Sequence, residues 1–205
     1  YTGFASSIEL AVTAFETWDE ATGAILWKTN QWGYDFQALA GIVQEDWAFG
    51  GGWAGNIGNT SFKGEFTYFH PRNGEDDGSF TATVGMDYSF ANSLYINGGF
   101  LFNSNGSTNS TFLELFATEL SAKNLYPYKY SVLAQASYPI TPLLNASMAT
   151  IYSPSSVHAL FLTPTVTYSI KENWDLDFVS QLAFVADKGY SSPIQAFFLR
   201  WKFSF

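Results

Sequence analysis

The chain has 205 residues, 19% of them aromatic and only 13% charged, with a formal net charge of −9 and no cysteine. The acidic balance excludes a nucleic-acid surface, which needs clustered Lys and Arg, and the missing thiols exclude disulfides and thiolate metal sites. Mean hydropathy is near zero, and no stretch approaches the roughly 18 to 20 uninterrupted apolar residues of a membrane-spanning helix. Any passage through a bilayer would therefore use strands.

The length suits one all-β domain, covering 1–205 with a long loop insertion at 103–127. The chain opens at Tyr1 without a signal-peptide pattern, which reads as a mature chain or a fragment. In chain order, alternation predicts strands over 4–17, 23–29, 33–43, 47–55, 61–69, 78–89, 93–103, 127–138, 142–152, 157–169, 173–186 and 194–205. Turns fall at Asp19 to Thr22, at Thr29, Asn30 and Gln31, at Gln44 to Asp46, and at Asn56 to Thr60. Further along they fall at His70 to Asp77, Phe90 to Asn92, Pro139 to Pro142, Ser153 to Ser156, Lys171 to Asn173, and Asp187 to Pro193. Trp18 to Trp32 has no clean alternation, so the count of about twelve, an even number of the kind single-chain bacterial barrels use, is open by about two. Short turns gather on one rim and longer connections mostly on the other.

Most strands have one apolar and one polar face. Phe62, Gly64, Phe66 and Tyr68 oppose Lys63, Glu65 and Thr67, and Phe80, Ala82, Val84, Met86 and Tyr88 oppose Thr81, Thr83, Gly85 and Asp87. Leu160, Leu162, Val166 and Tyr168 oppose Thr163, Thr165 and Thr167, while Trp174, Leu176, Phe178, Leu182 and Phe184 oppose Asp175, Asp177 and Gln181. A soluble antiparallel sandwich also alternates, with its apolar face inward. Aromatic placement favours the membrane alternative: Tyr88, Phe90, Tyr138, Tyr168 and Trp174 lie beside short turns, and Tyr68, Tyr128, Tyr130 and Tyr152 beside longer loops. Two such rings are expected where a barrel meets two headgroup layers. Pro164, on the apolar face of its strand, calls for a bulge, because a ladder position needs the N–H that proline lacks.

The last strand sets Phe197, Leu199, Trp201, Phe203 and Phe205 on one face and Arg200, Lys202 and Ser204 on the other. It resembles the closing strand of bacterial outer-membrane β-barrel proteins. The terminal assembly signal of that family has aromatic or apolar residues at the last position and two before it, with a Gly and a polar residue further upstream. Phe203 and Phe205 match, following Trp201, whereas Arg200 stands in place of the Gly and Phe198 in place of the polar residue. The resemblance covers the architecture of most of the chain and singles out no member. It implies an antiparallel up-and-down transmembrane β-barrel in a bacterial outer membrane, with the lipid bilayer and the outer-membrane assembly machinery as partners. The barrel would be complete in this chain, or the C-terminal part of a larger one.

In such a barrel the inward face would carry Lys63, Glu65, Asp87, Lys129, Gln135, Asn145, Asp175, Asp177, Gln181, Arg200 and Lys202. A mixed-charge lumen of this kind would pass small hydrophilic solutes as a porin-like channel. Equally, the charges would pair with one another in a filled interior, leaving a structural barrel that docks another outer-membrane protein. In the long connection, Phe112, Leu115, Phe116, Glu119, Leu120 and Lys123 recur at helical spacing, predicting an amphipathic helix over 111–123 that constricts the lumen or meets a partner. Glu75, Asp76 and Asp77 between Gly74 and Gly78 are only weak candidates for a calcium site, since they lack EF-hand spacing and such loops are usually just solvated. With Asp19, Glu20, Glu45 and Asp46 they make the longer-loop rim acidic, which would enrich cations at the mouth.

No cofactor is expected. Gly50, Gly51, Gly52 and Gly55 sit in an aromatic strand without the helix and Lys of a phosphate loop, so they serve close packing or a bend. An outer-membrane hydrolase is the third reading. It has only His70 and His158 as histidine bases, and no spacing marks a partner Ser.

Overall fold

The computed structural model describes residues 5–13, 17, 21–74, 77–108, 121–156, 158–186 and 189–204. They form twelve strands: β1 (Ser6–Val12), β2 (Thr22–Gln31), β3 (Tyr34–Val43), β4 (Asp46–Ile57), β5 (Thr60–Pro71), β6 (Ser79–Ser89), β7 (Tyr95–Asn103), β8 (Tyr130–Thr141), β9 (Leu144–Ser153), β10 (His158–Lys171), β11 (Trp174–Ala186) and β12 (Tyr190–Phe203). Each pairs antiparallel with the next in one up-and-down sheet, the all-β architecture that the period-2 pattern predicts. No ladder between β1 and β12 is found among the described residues.

One rim holds the tight turns at 32–33, 58–59, 90–94, 142–143 and 172–173, together with Ala5 and Ser204. The other holds the strand ends at Val12, Thr22, Val43, Asp46, Pro71, Ser79, Asn103, Tyr130, Ser153, His158, Ala186 and Tyr190, from which the longer connections run. The expected asymmetry holds, with the two-residue link at Gln44 and Glu45 as the short member of the loop rim.

Three local expectations are corrected. Asn30 and Gln31 belong to β2, and the chain reverses at Trp32 and Gly33, with φ of 54° and 77°. That is the pair of positive values a type I′ turn demands. Pro139 does not end its strand: β8 continues to Thr141, and the register shifts between Pro139 and Thr141, so an irregularity absorbs the missing donor. Pro164 sits in no bulge. It pairs with Met148 of β9, and on its other side the β10–β11 ladder lapses between Leu162–Leu182 and Thr165–Val179 without changing register. The loss is confined to local pairing.

The register assigns every side chain to a face. Glu65 faces Gly52 and Thr83; Gly52 faces Gln37, Gln37 faces Lys28, and Lys28 faces Ser7. On the opposite face run Ile8, Leu10, Ile25, Trp27, Phe36, Phe49, Phe66, Phe100, Val132, Met148, Phe178, Leu199 and Trp201. The sheet curls so that Ser6 and Ser7 of β1 line the same cavity as Ser131 and Leu133 of β8 and Ile151 of β9. The charged face is thus concave and the apolar face convex. Leu10, Leu199 and Trp201 are 72%, 71% and 67% exposed, so the apolar faces cover the outside rather than a core.

Aromatic rings cover glycines on the convex face. A Cβ on Gly64 would run into the Trp53 ring, and one on Gly55 into Tyr34. The Gly50 to Gly52 segment contributes likewise, because Gly51 lies under the Phe66 ring. At the loop rim, Ala48, Phe69, Ser79, Asn103, Tyr128, Ser153, Ala159 and Val185 are buried.

Tyr88, Phe90, Tyr138, Tyr168 and Trp174 lie at the turn rim, and Tyr68, Tyr130 and Tyr152 at the loop rim, on the convex face. Tyr128 is the exception. It lies before β8 in the long connection and is fully buried, so it belongs to the packing of the mouth and not to an aromatic ring. The helix expected over 111–123 falls mostly on 109–120, outside the described residues; Ser121 to Lys123 form a bridge and turn, with Ser121 paired to Asn124.

Candidate functional site

The concave side encloses a cavity of about 1080 Å³, larger than most small-molecule pockets. Its volume comes partly from inward glycines. Gly52, Gly85 and Gly99 all line it, and Gly85 and Gly99 face each other across the β6–β7 ladder. Lys28, Asp35, Gln37, Lys63, Glu65 and Asn97 bring polar groups to the β1–β7 wall.

Of the predicted lumen residues, Lys63 and Glu65 line this cavity. Asp87, Gln135, Asn145, Asp175, Asp177, Gln181, Arg200 and Lys202 occupy the same concave face by register, beyond its lining. Lys129 lies just before β8, where its backbone carbonyl accepts from the Asn103 N–H at 2.9 Å.

Several of these charges are paired. Lys63 Nζ lies 3.6 Å from Asp87 Oδ1, and Arg200 donates from Nε to Asp177 Oδ2 at 2.7 Å. Thr167 donates to the other Asp177 oxygen at 2.8 Å, and Ser169 to Asp175 at 2.8 Å. Ser137 donates to Asn145 at 3.2 Å. The Lys28–Glu9 pair, 2.7 Å apart, escaped the sequence reading because Lys28 and the whole of β2 lie within the segment without clean alternation.

The sequence reading also missed an apolar component of the concave wall. Leu133 of β8, Ile151 of β9, Phe161 of β10, Ala183 of β11 and Ile194 of β12 are successive cross-strand partners in one row. The signal was present in Val132-Leu133-Ala134 and Ala159-Leu160-Phe161-Leu162, where apolar residues run on both faces. Such runs mark strands apolar on two sides.

At the loop rim the long connection turns inward. Ser79 donates to the Lys123 carbonyl at 2.9 Å, and Asn103 Nδ2 donates to Asn124 Oδ1 at 2.7 Å and the Tyr126 carbonyl at 2.6 Å. Lys123 forms an ion pair with Asp46, whose side chain is only 4% exposed. Ser107 and Tyr128 bridge the two arms of the connection, and Ser156 N–H donates to the Thr108 carbonyl at 2.9 Å. Leu125 and Tyr126 thereby form the cavity wall on this side. Burial pushes the Tyr126 phenol up from its ordinary pKa, against a smaller opposing contribution from its hydrogen bond with Ser153.

Trp201 and Phe203 lie on the convex face beside Trp174, at ring-centroid separations of 5.4 and 4.7 Å; Phe205 is outside the described residues. Glu75 and Asp76, like Asp19 and Glu20, also fall outside them, while Asp77 is exposed. No group of three or more potential metal-ligating side chains occurs among the described residues. The two histidines sit at the loop rim, each beside a tyrosine: His70 Nδ1 lies 3.4 Å from Tyr68 Oη, and His158 Nδ1 lies 2.7 Å from Tyr152 Oη. Comparisons with protein-family models, with curated proteins and with solved structures find no match.

Proposed function

We propose that this chain is a membrane-spanning β-barrel of the bacterial outer-membrane type, acting as a porin-like passive channel for small water-soluble solutes. The observation that carries the reading is the inversion of the sheet. Apolar side chains cover the convex face strand after strand, while Lys, Arg, Asp and Glu are set on the concave one. In water that arrangement would expose a continuous apolar patch far beyond what monomers tolerate. In lipid it is the arrangement a barrel requires, and closure would satisfy the backbone groups of β1 and β12. The terminal Trp201 and Phe203 would serve recognition by the outer-membrane assembly machinery.

Solute would follow the polar wall at Lys28, Asp35, Lys63 and Glu65 and pass the inward-folded connection at Leu125 and Tyr126. Conductance of the full chain in a planar bilayer tests this directly. Discrete open-channel steps whose ion selectivity changes in Lys63→Gln are expected. A silent bilayer containing correctly folded protein would sink the channel reading.

That silent outcome is what the second reading, a docking barrel with a filled lumen, expects. Its support is the same connection, which buries Asn103 and Tyr128 completely at the mouth. Migration in detergent gels tests the barrel itself: a shift between unboiled and boiled samples is expected, and identical mobility would count against it.

A further inference from the structure

Resting on the barrel reading, the cavity has two chemically different sides. Leu133, Ile151, Leu101 and Leu125 contribute apolar surface toward the loop rim. Register extends that surface through Phe161 and Ile194. A lumen serving only fully hydrated solutes gains nothing from such a row, because apolar surface facing water is unfavourable. The facing wall is polar, and its charges do not balance. Both lysines that line the cavity already have carboxylate partners, Lys28 with Glu9 and Lys63 with Asp87. Asp35 and Glu65 also line it, and no cation neutralises either among the described residues. Among the described residues, Asp35 accepts a side-chain hydrogen bond from the Asn30 amide alone, at 2.7 Å. On β11 and β12, Asp175 and Asp177 are matched by Arg200 and Lys202, so the excess is negative and lies opposite the apolar row.

We infer that the cavity binds a small organic cation with an apolar body, of the aryl- or alkylammonium class. The ammonium lies toward Asp35 and Glu65, and the hydrocarbon part lies along Leu133 and Ile151. Width for the ring comes from Gly85 and Gly99, which put no side chain on the stretch of wall where they face each other.

Calorimetric titration of the full chain in detergent micelles, with empty micelles subtracted, tests this using three membrane-impermeant probes. Benzyltrimethylammonium has both features, choline lacks the apolar body, and benzenesulfonate has the ring with the wrong charge. Benzyltrimethylammonium is expected to bind about ten-fold tighter than choline, as when roughly 60 Å² of apolar surface leaves water, with benzenesulfonate weakest. Ile151→Ser should erase the benzyl advantage while choline binding stays, and Glu65→Gln should weaken both cations alike. Equal affinity for benzyltrimethylammonium and choline, or for benzyltrimethylammonium and benzenesulfonate, overturns the inference whether or not the variants fold. Planar-bilayer conductance separates the two proposals. Potassium current without probe discrimination removes this inference alone, and discrimination without current removes the channel and leaves a binding barrel.

Discussion

At the residue scale, the mouth depends on a few side chains that face charge or burial at short range. Asp46 is almost wholly buried, and its ionic partner is Lys123 of the inward-folded connection. Lys123→Met would strand that carboxylate, at a cost of roughly 1 to 3 kcal/mol, less than for a fully buried pair because the Lys123 side chain is 41% exposed. The expected result is faster proteolysis of the connection and a larger unitary conductance, with the strands intact by circular dichroism.

Tyr126 adds a pH dependence. Its phenol is raised above the ordinary value of 10.0 by burial, so the folded mouth prefers the neutral form. The corresponding stability is complete below pH 10.0 and is lost as pH rises through the elevated folded value. Conductance recorded between pH 8 and 12 should therefore rise at the alkaline end in the native chain. In Tyr126→Phe, which has no proton to lose, that rise should be absent.

At the element scale, the strands show how a pattern survives local faults. β8 accepts Pro139 through a register shift, and β10 accepts Pro164 by suspending a stretch of one ladder. Both prolines look like strand breakers when neighbours along the chain are the only context. Neighbouring strands supply the remaining hydrogen bonds, so each fault costs local pairing rather than the strand. The β6–β7 pair makes a different contribution, because Gly85 and Gly99 keep the part of the wall where they face each other bare. A Cβ on Gly99 would meet Val84 O at 3.4 Å, an ordinary contact, so Gly99→Leu should fold. Its side chain would enter the cavity, and the expected readout is a lower unitary conductance with unchanged gel mobility.

At the scale of the whole molecule, the two faces make opposite demands on the same substitution. Met148 lies mid-strand on the convex face and is 41% exposed. Met148→Arg should destabilise the lipid-inserted protein by about 2 to 4 kcal/mol, as a cation near the bilayer midplane does. Gln135→Arg, on the concave face of the adjoining strand, should cost far less. Denaturant titrations in liposomes measure both, and similar small effects for the pair would argue that the convex face meets water.

Strand order and facing, and strand number to within about two, were legible in the chain itself, because a period of two assigns faces without knowledge of distant contacts. Lys63, Glu65, Asp177 and Arg200 reached the concave face on that basis alone. What the period does not contain is which inward residues look at one another across the lumen. The row from Leu133 to Ile194 and the opposing carboxylates Asp35 and Glu65 acquire a relationship only when the sheet curls. The same holds for Tyr128. Beside a strand it resembles a headgroup anchor, and only the inward fold of the connection, held by Asn103, Ser79 and Asp46, buries it. Local periodicity thus determined the wall, while curvature and long-range docking, which no short stretch of sequence encodes, decided the shape and chemistry of the space inside.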